Sequence, residues 1–208
     1  MASIESGPED LAVEKWLGTG FLVDSKCALI TAKHILGDID RERIAVRFEL
    51  PPDFSKVRTL KADLIYQDEK RDLAMLRVSR LGGKSWTSGE AHVFSLGSET
   101  EQKSLAGEDI LIVGHPVLAP QNLDIPVIRA GIVSSTSITW GHQPMLLLDL
   151  LGVPGFSGSP VILARTGEVV GVVFGPGPTL QAYGFEWATP VSKEFYDAAV
   201  TEAAPPRN

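Results

Sequence analysis

GVPGFSGSP, residues 152–160, is a turn-forming stretch between two apolar runs, MLLLDLL at 145–151 and VIL at 161–163. Its three glycines and two prolines suit neither the interior of a helix nor a regular strand. The apolar runs on either side are as short as strands usually are. The stretch therefore predicts a strand, a tight turn and a second strand.

The same pattern of short apolar runs, bounded by Gly, Pro, Asp and Ser, recurs along the chain. One convincing helical pattern follows at 192–203, with Ser192 as its N-cap. Because short strands dominate, we expect an all-β fold of two stacked antiparallel β-barrels with a C-terminal α-helix. The predicted strands are 15–24, 27–32, 43–50, 57–67, 73–78, 109–114, 125–136, 144–150, 160–164, 168–175 and 183–191.

A polar stretch at 81–109 divides these strands into two groups of similar size. We therefore expect an N-terminal barrel in residues 1–100 and a C-terminal barrel, with the helix, in residues 101–208. The connector between them is expected near residues 95–106.

Charge and cysteine content exclude several classes of protein. The 208 residues carry a formal net charge of -7, which argues against nucleic-acid binding and gives no reason to expect an anionic membrane as partner. Cys27 is the only cysteine, so the chain forms no internal disulfide, and its apolar neighbours predict a buried residue. The first residues lack a signal-peptide pattern, so we expect a cytoplasmic protein. The final TEAAPPRN is typical of a linker, which indicates a domain of a longer protein.

Two serines in the opening stretch are candidates for a nucleophile. A nucleophilic serine needs an exposed hydroxyl and backbone N–H groups that stabilise an oxyanion. Ser157 is flanked by Gly155 and Gly158, whose conformational freedom lets neighbouring amides point the same way. Ser159 directly precedes Pro160 and the next strand, which favours a packing role. On this motif alone, a plain glycine-rich turn is the favoured interpretation, because glycine-serine turns are common.

The N-terminal half supplies a candidate base and a candidate acid. His34 follows the apolar run ALITA where the chain turns, a position suited to a general base facing a cleft. Asp72 leads directly into the apolar run LAMLRV, where a carboxylate can accept the Nδ1–H of a histidine. Asp63 and Asp68 lie nearby but do not lead into that run. Surface or turn roles are expected for the other histidines, which are His92, His115 and His142, and His142 is expected at a hairpin tip.

The chain order His, Asp, Ser would bring all three side chains into a cleft between two barrels. With these motifs the chain resembles the trypsin-like, chymotrypsin-fold serine proteases, and within them the disulfide-free HtrA-type branch. GTGFLVD with ALITAKHIL is similar to the family's G-x-G-F strand and T-A-x-H box, RDLAMLRV to its D-L-A-x-L-x-V strand, and GFSGSPV to its G-N-S-G-G-P turn. The resemblance covers nearly the whole chain. It implies a serine endopeptidase acting on protein or peptide substrates, with His34 as base, Asp72 as orienting acid and Ser157 as nucleophile.

The serine turn departs from the family pattern at two positions. The resemblance implies an oxyanion hole formed by the amides of Gly155 and Ser157. Phe156 stands where the family usually has Asn, and we expect it at the rim of that hole. Ser159 replaces a glycine, which is a small change.

The resemblance also implies a specificity pocket beside the serine turn. Leu151, six residues before the nucleophile, would lie at its base, and Gly184 on one wall. The segment Val173, Phe174 and Gly175 would form the other wall and the edge that pairs with substrate. Since none of these residues is charged, we expect small or medium apolar P1 residues. A preference for Arg or Lys would instead point to Asp149.

Neither a metal nor a cofactor is expected, since the sequence has no metal-ligand spacing and no phosphate-loop or dinucleotide fingerprint. A catalytically silent peptide-binding module of the same fold is the alternative function. The linker-like C-terminus favours a regulated effector protease joined to a further domain over a stress protease.

Overall fold

The computed structural model describes residues 2–6, 15–24, 27–41, 44–50, 56–78, 93–102, 104–117, 126–175 and 184–203. Within these ranges the chain is mostly β-strand, as predicted. A 3₁₀ turn covers Lys33–Ile35, and the α-helices are α1 (Glu99–Gln102) and α2 (Lys193–Glu202). The strands are β1 (Ala2–Ser6), β2 (Lys15–Leu22), β3 (Ala28–Ala32), β4 (Ile44–Leu50), β5 (Lys56–Asp68), β6 (Leu73–Val78), β7 (Asp109–Gly114), β8 (Val127–Trp140), β9 (Gln143–Asp149), β10 (Pro160–Leu163), β11 (Val169–Val173) and β12 (Phe185–Pro190).

Strands β1 to β6 close into an antiparallel barrel in the order β1-β2-β3-β6-β5-β4. The sequence analysis predicts no strand at residues 2–6, because this segment is short and mostly polar. The structure pairs β1 with both β2 and β4, so this strand closes the barrel. Ile4 packs in the barrel core with residues such as Leu29 and Leu76, and Cys27 is buried, as predicted.

Strands β7 to β12 form a second closed barrel, in the order β10-β11-β12-β9-β8-β7. Its core contains alternate residues of these strands, among them Ile112, Leu148 and Val161. The long β8–β9 hairpin turns at Gly141 and His142, which both have positive φ angles, of 54° and 69°. Two consecutive residues with positive φ are typical of a tight hairpin turn, which confirms the predicted position of His142.

A shared apolar cluster joins the two barrels and α2. Phe21 and Met75 come from the first barrel, Val172 from the second, and Phe195 from the helix. The helix begins as predicted, because the Ser192 hydroxyl accepts a hydrogen bond from the Phe195 amide at 3.1 Å. Such a cap stabilises a helix by about 1 kcal/mol. Neither described helix has the length and apolar composition needed to cross a membrane.

The connector between the barrels packs against both of them. The Phe94 ring meets the Phe21 ring edge-on at 5.8 Å, and Leu96 forms a bridge with Val169 of β11. The division of the chain at residue 100 stays a prediction. His92 lies outside the described residues.

Candidate active site

His34 and Asp72 are brought together by the pairing of β3 with β6. This pairing sets Ala32, the last residue of β3, opposite Leu73, the first residue of β6. His34 lies in the 3₁₀ turn just beyond Ala32, and Asp72 directly precedes Leu73. The two candidate residues therefore leave neighbouring strand ends on the same edge of the barrel.

Three hydrogen bonds hold this pair. The His34 ring Nδ1 lies 2.6 Å from Asp72 Oδ2, and the His34 amide donates to Oδ1 at 2.8 Å. The Lys33 amide donates to the Asp72 carbonyl oxygen at 2.8 Å. Since a carboxylate can only accept, Nδ1 carries the proton and Nε2 is left as an acceptor. Asp72 has a φ of 56°, a left-handed conformation that Asp tolerates better than most residues.

The serine turn needs glycine on both sides of Ser157. Gly155 and Gly158 have φ angles of 94° and 86°. A Cβ on Gly155 would overlap the His115 carbonyl oxygen, and a Cβ on Gly158 would overlap the Thr19 carbonyl oxygen. These close approaches leave no room for a side chain at either position.

Thr19 of β2 connects the serine turn to the first barrel. Its amide donates to the Ser157 carbonyl at 2.9 Å, and its hydroxyl donates to the Gly155 carbonyl at 2.9 Å. The same hydroxyl accepts from the His115 amide at 2.9 Å. The sequence reasoning missed Thr19, although it lies within the GTGF motif. Of the surface or turn role expected for His115, the surface part is wrong, because His115 is 1% exposed and packs beside the serine turn.

The amides of Gly155 and Ser157 face away from the protein's own acceptors. The Pro154 carbonyl accepts from the Val117 amide at 2.8 Å. Because the N–H and C=O of a trans peptide point in opposite directions, the Gly155 N–H points away from Val117. Within the described ranges, neither of these two amides donates a hydrogen bond.

The two serines of the turn have different environments. Ser157 is partly exposed, and its hydroxyl donates to the Phe174 carbonyl at a long 3.4 Å. The Phe174 ring contacts the His34 ring, with centroids 5.5 Å apart. Ser159 is 0% exposed, which confirms its expected packing role. Between Ser157 and His34 the described residues show no direct hydrogen bond, although such bonds are often long or absent without substrate.

Phe156 does not lie at the rim of the amide pair. It is buried in the core of the second barrel, with its ring against Gly114. The expected position at the rim is therefore wrong, because an aromatic ring gains more from burial than from the solvent-facing edge of a turn. Burial of the Phe156 side chain in the barrel core fixes the position of the serine turn.

The predicted pocket residues divide into two groups. Val173, Phe174 and Gly175 lie beside the serine, since the Val173 carbonyl accepts from the Gly158 amide at 2.8 Å. Leu151 is 43% exposed and so does not form the base of a buried pocket. A Cβ on Gly184 would meet no atom within 4 Å, so no contact assigns Gly184 to a wall.

A buried acid beside the serine turn was missed by the sequence reasoning. Glu186 of β12 is 0% exposed, and its carboxylate occupies the space that a side chain at position 152 would fill. Burial raises the pKa of Glu186 to about 7, while the hydrogen bond from the Trp187 amide opposes this increase. No group of three or more His, Cys, Asp or Glu side chains among the described residues could hold a metal ion.

Comparisons with known proteins agree with this arrangement. The trypsin-like peptidase domain family matches residues 18–172. A probable periplasmic serine endoprotease DegP-like of Hahella chejuensis is 31% identical over 158 residues, covering 74% of this chain and 29% of that protein. The serine endoprotease DegS of Salmonella typhimurium is 26% identical over 160 residues, covering 75% of this chain and 38% of DegS.

A solved structure shows the same fold. The serine endoprotease from Yersinia pestis aligns with a TM-score of 0.67 and 20% sequence identity, covering 97% of this chain and 61% of that chain. Its likeness supports the double-barrel architecture.

The expected cytoplasmic location is wrong, because several relatives are named as periplasmic serine endoproteases. That expectation used the first residues of the sequence. The chain spans about three-tenths of the length of these DegP-like relatives, so its first residues are no guide to a leader. From the match over residues 18–172 and the relatives' shared character, the chain belongs to the trypsin-like peptidase domain family of serine proteases.

Proposed function

We propose that the chain is a serine endopeptidase in which Ser157 is the nucleophile, His34 the general base and Asp72 the residue that orients His34. The observation that carries this proposal is the double contact of Asp72 with His34, through ring and amide, on the barrel edge where Thr19 holds the serine turn. Asp72 accepts the Nδ1 proton, so Nε2 is free to take a proton from a hydroxyl.

The reaction proceeds in two halves. His34 Nε2 takes the Ser157 proton as Oγ bonds to the carbonyl carbon of a peptide. The C–N bond then breaks, and His34 gives its proton to the leaving amine. Water repeats these steps on the acyl-enzyme: it loses a proton to His34 and attacks the carbonyl carbon, and Ser157 Oγ leaves and regains that proton.

The amides of Gly155 and Ser157 are proposed to bind the oxyanion that forms during each attack. Their freedom from internal acceptors supports this role, as does the Pro154–Val117 hydrogen bond that sets the direction of the Gly155 N–H. Losing one such donor typically slows catalysis by roughly 10² to 10³.

The test is labelling with a fluorophosphonate probe together with hydrolysis of a peptide library. We expect the wild type to be labelled and active, and Ser157→Ala to lose both properties. Ser159→Ala is the matched control, because it removes a buried hydroxyl two residues away and should retain labelling. Labelling that persists in Ser157→Ala would reject Ser157 as the nucleophile.

A catalytically silent peptide-binding module is a second candidate. The observation in its favour is that the Ser157 hydroxyl donates to Phe174 and not to His34. A wild-type protein that binds peptides but is neither labelled nor active would establish this alternative.

Two finer aspects of the function follow from the chain's share of its relatives and from its pocket. Because it spans about three-tenths of the DegP-like proteins, we propose that regions outside this chain regulate the protease domain. The expected preference for small or medium apolar P1 residues rests on the absence of charge at Leu151, Val173, Phe174, Gly175 and Gly184, and the exposure of Leu151 removes one of these residues from the pocket base. Another residue must therefore determine the P1 specificity.

A further inference from the structure

Glu186 has a carboxylate oxygen that nothing in the described chain satisfies. Oε1 accepts a hydrogen bond from the Trp187 amide at 3.0 Å. Oε2 is buried and has no hydrogen-bond partner among the described residues. A buried carboxylate without a partner is costly, and buried charges in proteins are usually paired. A cation from outside the chain is one partner that would satisfy it.

Glu186 lies on β12, next to the end of β11 that leads to the contacts with Ser157. β11 sets Val173 opposite Ala188, and the Phe174 amide donates to the Trp187 carbonyl at 2.9 Å. Continued beyond the end of β11, the same register would set Gly175 opposite Glu186. Side chains of directly opposed residues in an antiparallel pair share a face.

Gly175 links this face to the nucleophile. A Cβ on Gly175 would lie 3.3 Å from Ser157 Oγ, and no other atom comes closer to it. Gly175, two residues beyond the end of β11, therefore lies directly beside Ser157.

Gly152 borders the carboxylate from the other side. A side chain at this position would overlap Glu186 Oε2, so the backbone five residues before Ser157 passes directly beside the acid. The carboxylate thus lies against the chain segment that leads into the serine turn. Since Glu186 is fully buried, only a long, flexible side chain would reach its carboxylate from the serine.

We propose that Glu186 is the specificity-determining residue of the P1 pocket, and that its carboxylate binds the cationic end of a P1 lysine or arginine. This inference rests on the proposed function, since a P1 residue exists only if Ser157 cleaves peptides. Asp149, the acid suggested by the sequence, is exposed on β9 opposite Phe185. It is the matched control, with the same charge on a neighbouring strand.

The experiment compares fluorogenic peptides that differ only at P1, which is Arg, Lys, Leu or Val. At pH 8 we expect kcat/KM for Arg and Lys to exceed that for Leu by at least about tenfold. Glu186→Gln should lower kcat/KM for the basic substrates by about tenfold or more and leave the Leu substrate nearly unchanged, because it removes one partner of a buried charge pair. Asp149→Asn should leave the ratio of basic to apolar cleavage unaltered.

A second measurement does not depend on catalysis. Benzamidine, a flat aromatic cation, should bind the Ser157→Ala protein in a calorimeter, and the added Glu186→Gln change should weaken binding about tenfold or more. A wild-type preference for Leu or Val at P1 would overturn the proposal. Equal benzamidine affinity with and without the Glu186→Gln change would also overturn it. If Glu186→Gln does not fold, the wild-type P1 profile and benzamidine binding to Ser157→Ala still decide.

The two proposals fail in different ways. Absence of both probe labelling and hydrolysis in the wild type would overturn the assignment of Ser157, while benzamidine binding would still report on Glu186. An active enzyme with apolar P1 preference would overturn only the role of Glu186.

Discussion

The His34–Asp72 pair of the first barrel and the Ser157–Glu186 region of the second barrel differ in how far their polar groups are satisfied. In the first barrel, both Asp72 carboxylate oxygens accept hydrogen bonds at 2.6 and 2.8 Å. In the second, the amides of Gly155 and Ser157 have no acceptor and Glu186 Oε2 has no donor among the described residues. On the proposed mechanism, the first region is arranged for proton transfer, whereas the second has hydrogen-bonding groups that a bound substrate would satisfy.

The largest effect on kcat is expected from breaking the hydrogen bonds between His34 and Asp72. Asp72→Asn preserves shape but replaces an acceptor with an amide, which favours the wrong His34 tautomer. We expect kcat to fall by roughly 10⁴, with little change in the melting temperature. Steady-state kinetics with circular dichroism would check this. The assignment of Asp72 would fail if the variant kept more than a tenth of wild-type kcat.

A smaller effect on kcat is expected from moving the Gly155 and Ser157 amides, which have no acceptor among the described residues. In Gly155→Ala, the new Cβ would overlap the His115 carbonyl and the residue would be held at a φ of 94°. The turn must shift, so we expect kcat to fall by roughly 10² to 10³, the typical result of losing one oxyanion donor.

Gly107→Ala is the control for this change. Gly107 also has a positive φ, of 88°, but a Cβ there would meet no atom within 4 Å. The Gly107→Ala variant should have similar backbone strain but keep wild-type kcat. Equal loss in both variants would show that strain, and not the position of the amides, controls the rate.

The smallest effect concerns the stability of the second region. Because burial raises the pKa of Glu186 from 4.5 to about 7, the folded protein binds this proton more tightly than the unfolded chain does. The wild type should therefore lose stability as pH rises from about 4.5 to 7. Burial is the main cause of this shift, and no charged side chain among the described residues contributes to it.

Glu186→Gln should remove this pH dependence. We expect the variant to be more stable than the wild type by up to about 3 kcal/mol above pH 7, and the difference to shrink below pH 4.5. Urea unfolding at pH 4.5 and pH 8 measures both values. Asp149→Asn, an exposed change, should stay within about 0.5 kcal/mol at both pH values. A Glu186 difference that did not vary with pH would contradict the expected titration.

Much of the fold could be predicted, because strands and turns leave local patterns. The Ser192 cap and the His142 hairpin tip were located from residue type alone. β1 was missed because its stability comes from pairing with β2 and β4, which a polar five-residue segment does not reveal.

The residues of the candidate site were less evenly predictable. His34 follows β3 and Asp72 precedes β6, so predicting the two strands also predicts where these residues lie. Glu186 was missed because the pattern FEWATP suggests that Phe185 and Trp187 face the core. The structure instead buries Glu186 and Ala188 and leaves Phe185 and Trp187 half-buried. Leu151 was misplaced because its distance along the chain from Ser157 does not determine the direction of its side chain.

Thr19 gives the molecule a further property. The Thr19 hydroxyl and amide on β2 donate to the turn that carries Ser157, at 2.9 Å each, and so link the two barrels. On the proposed mechanism, hydrolysis requires both barrels to be joined. Separately produced barrels that recombined should then regain enzymatic turnover.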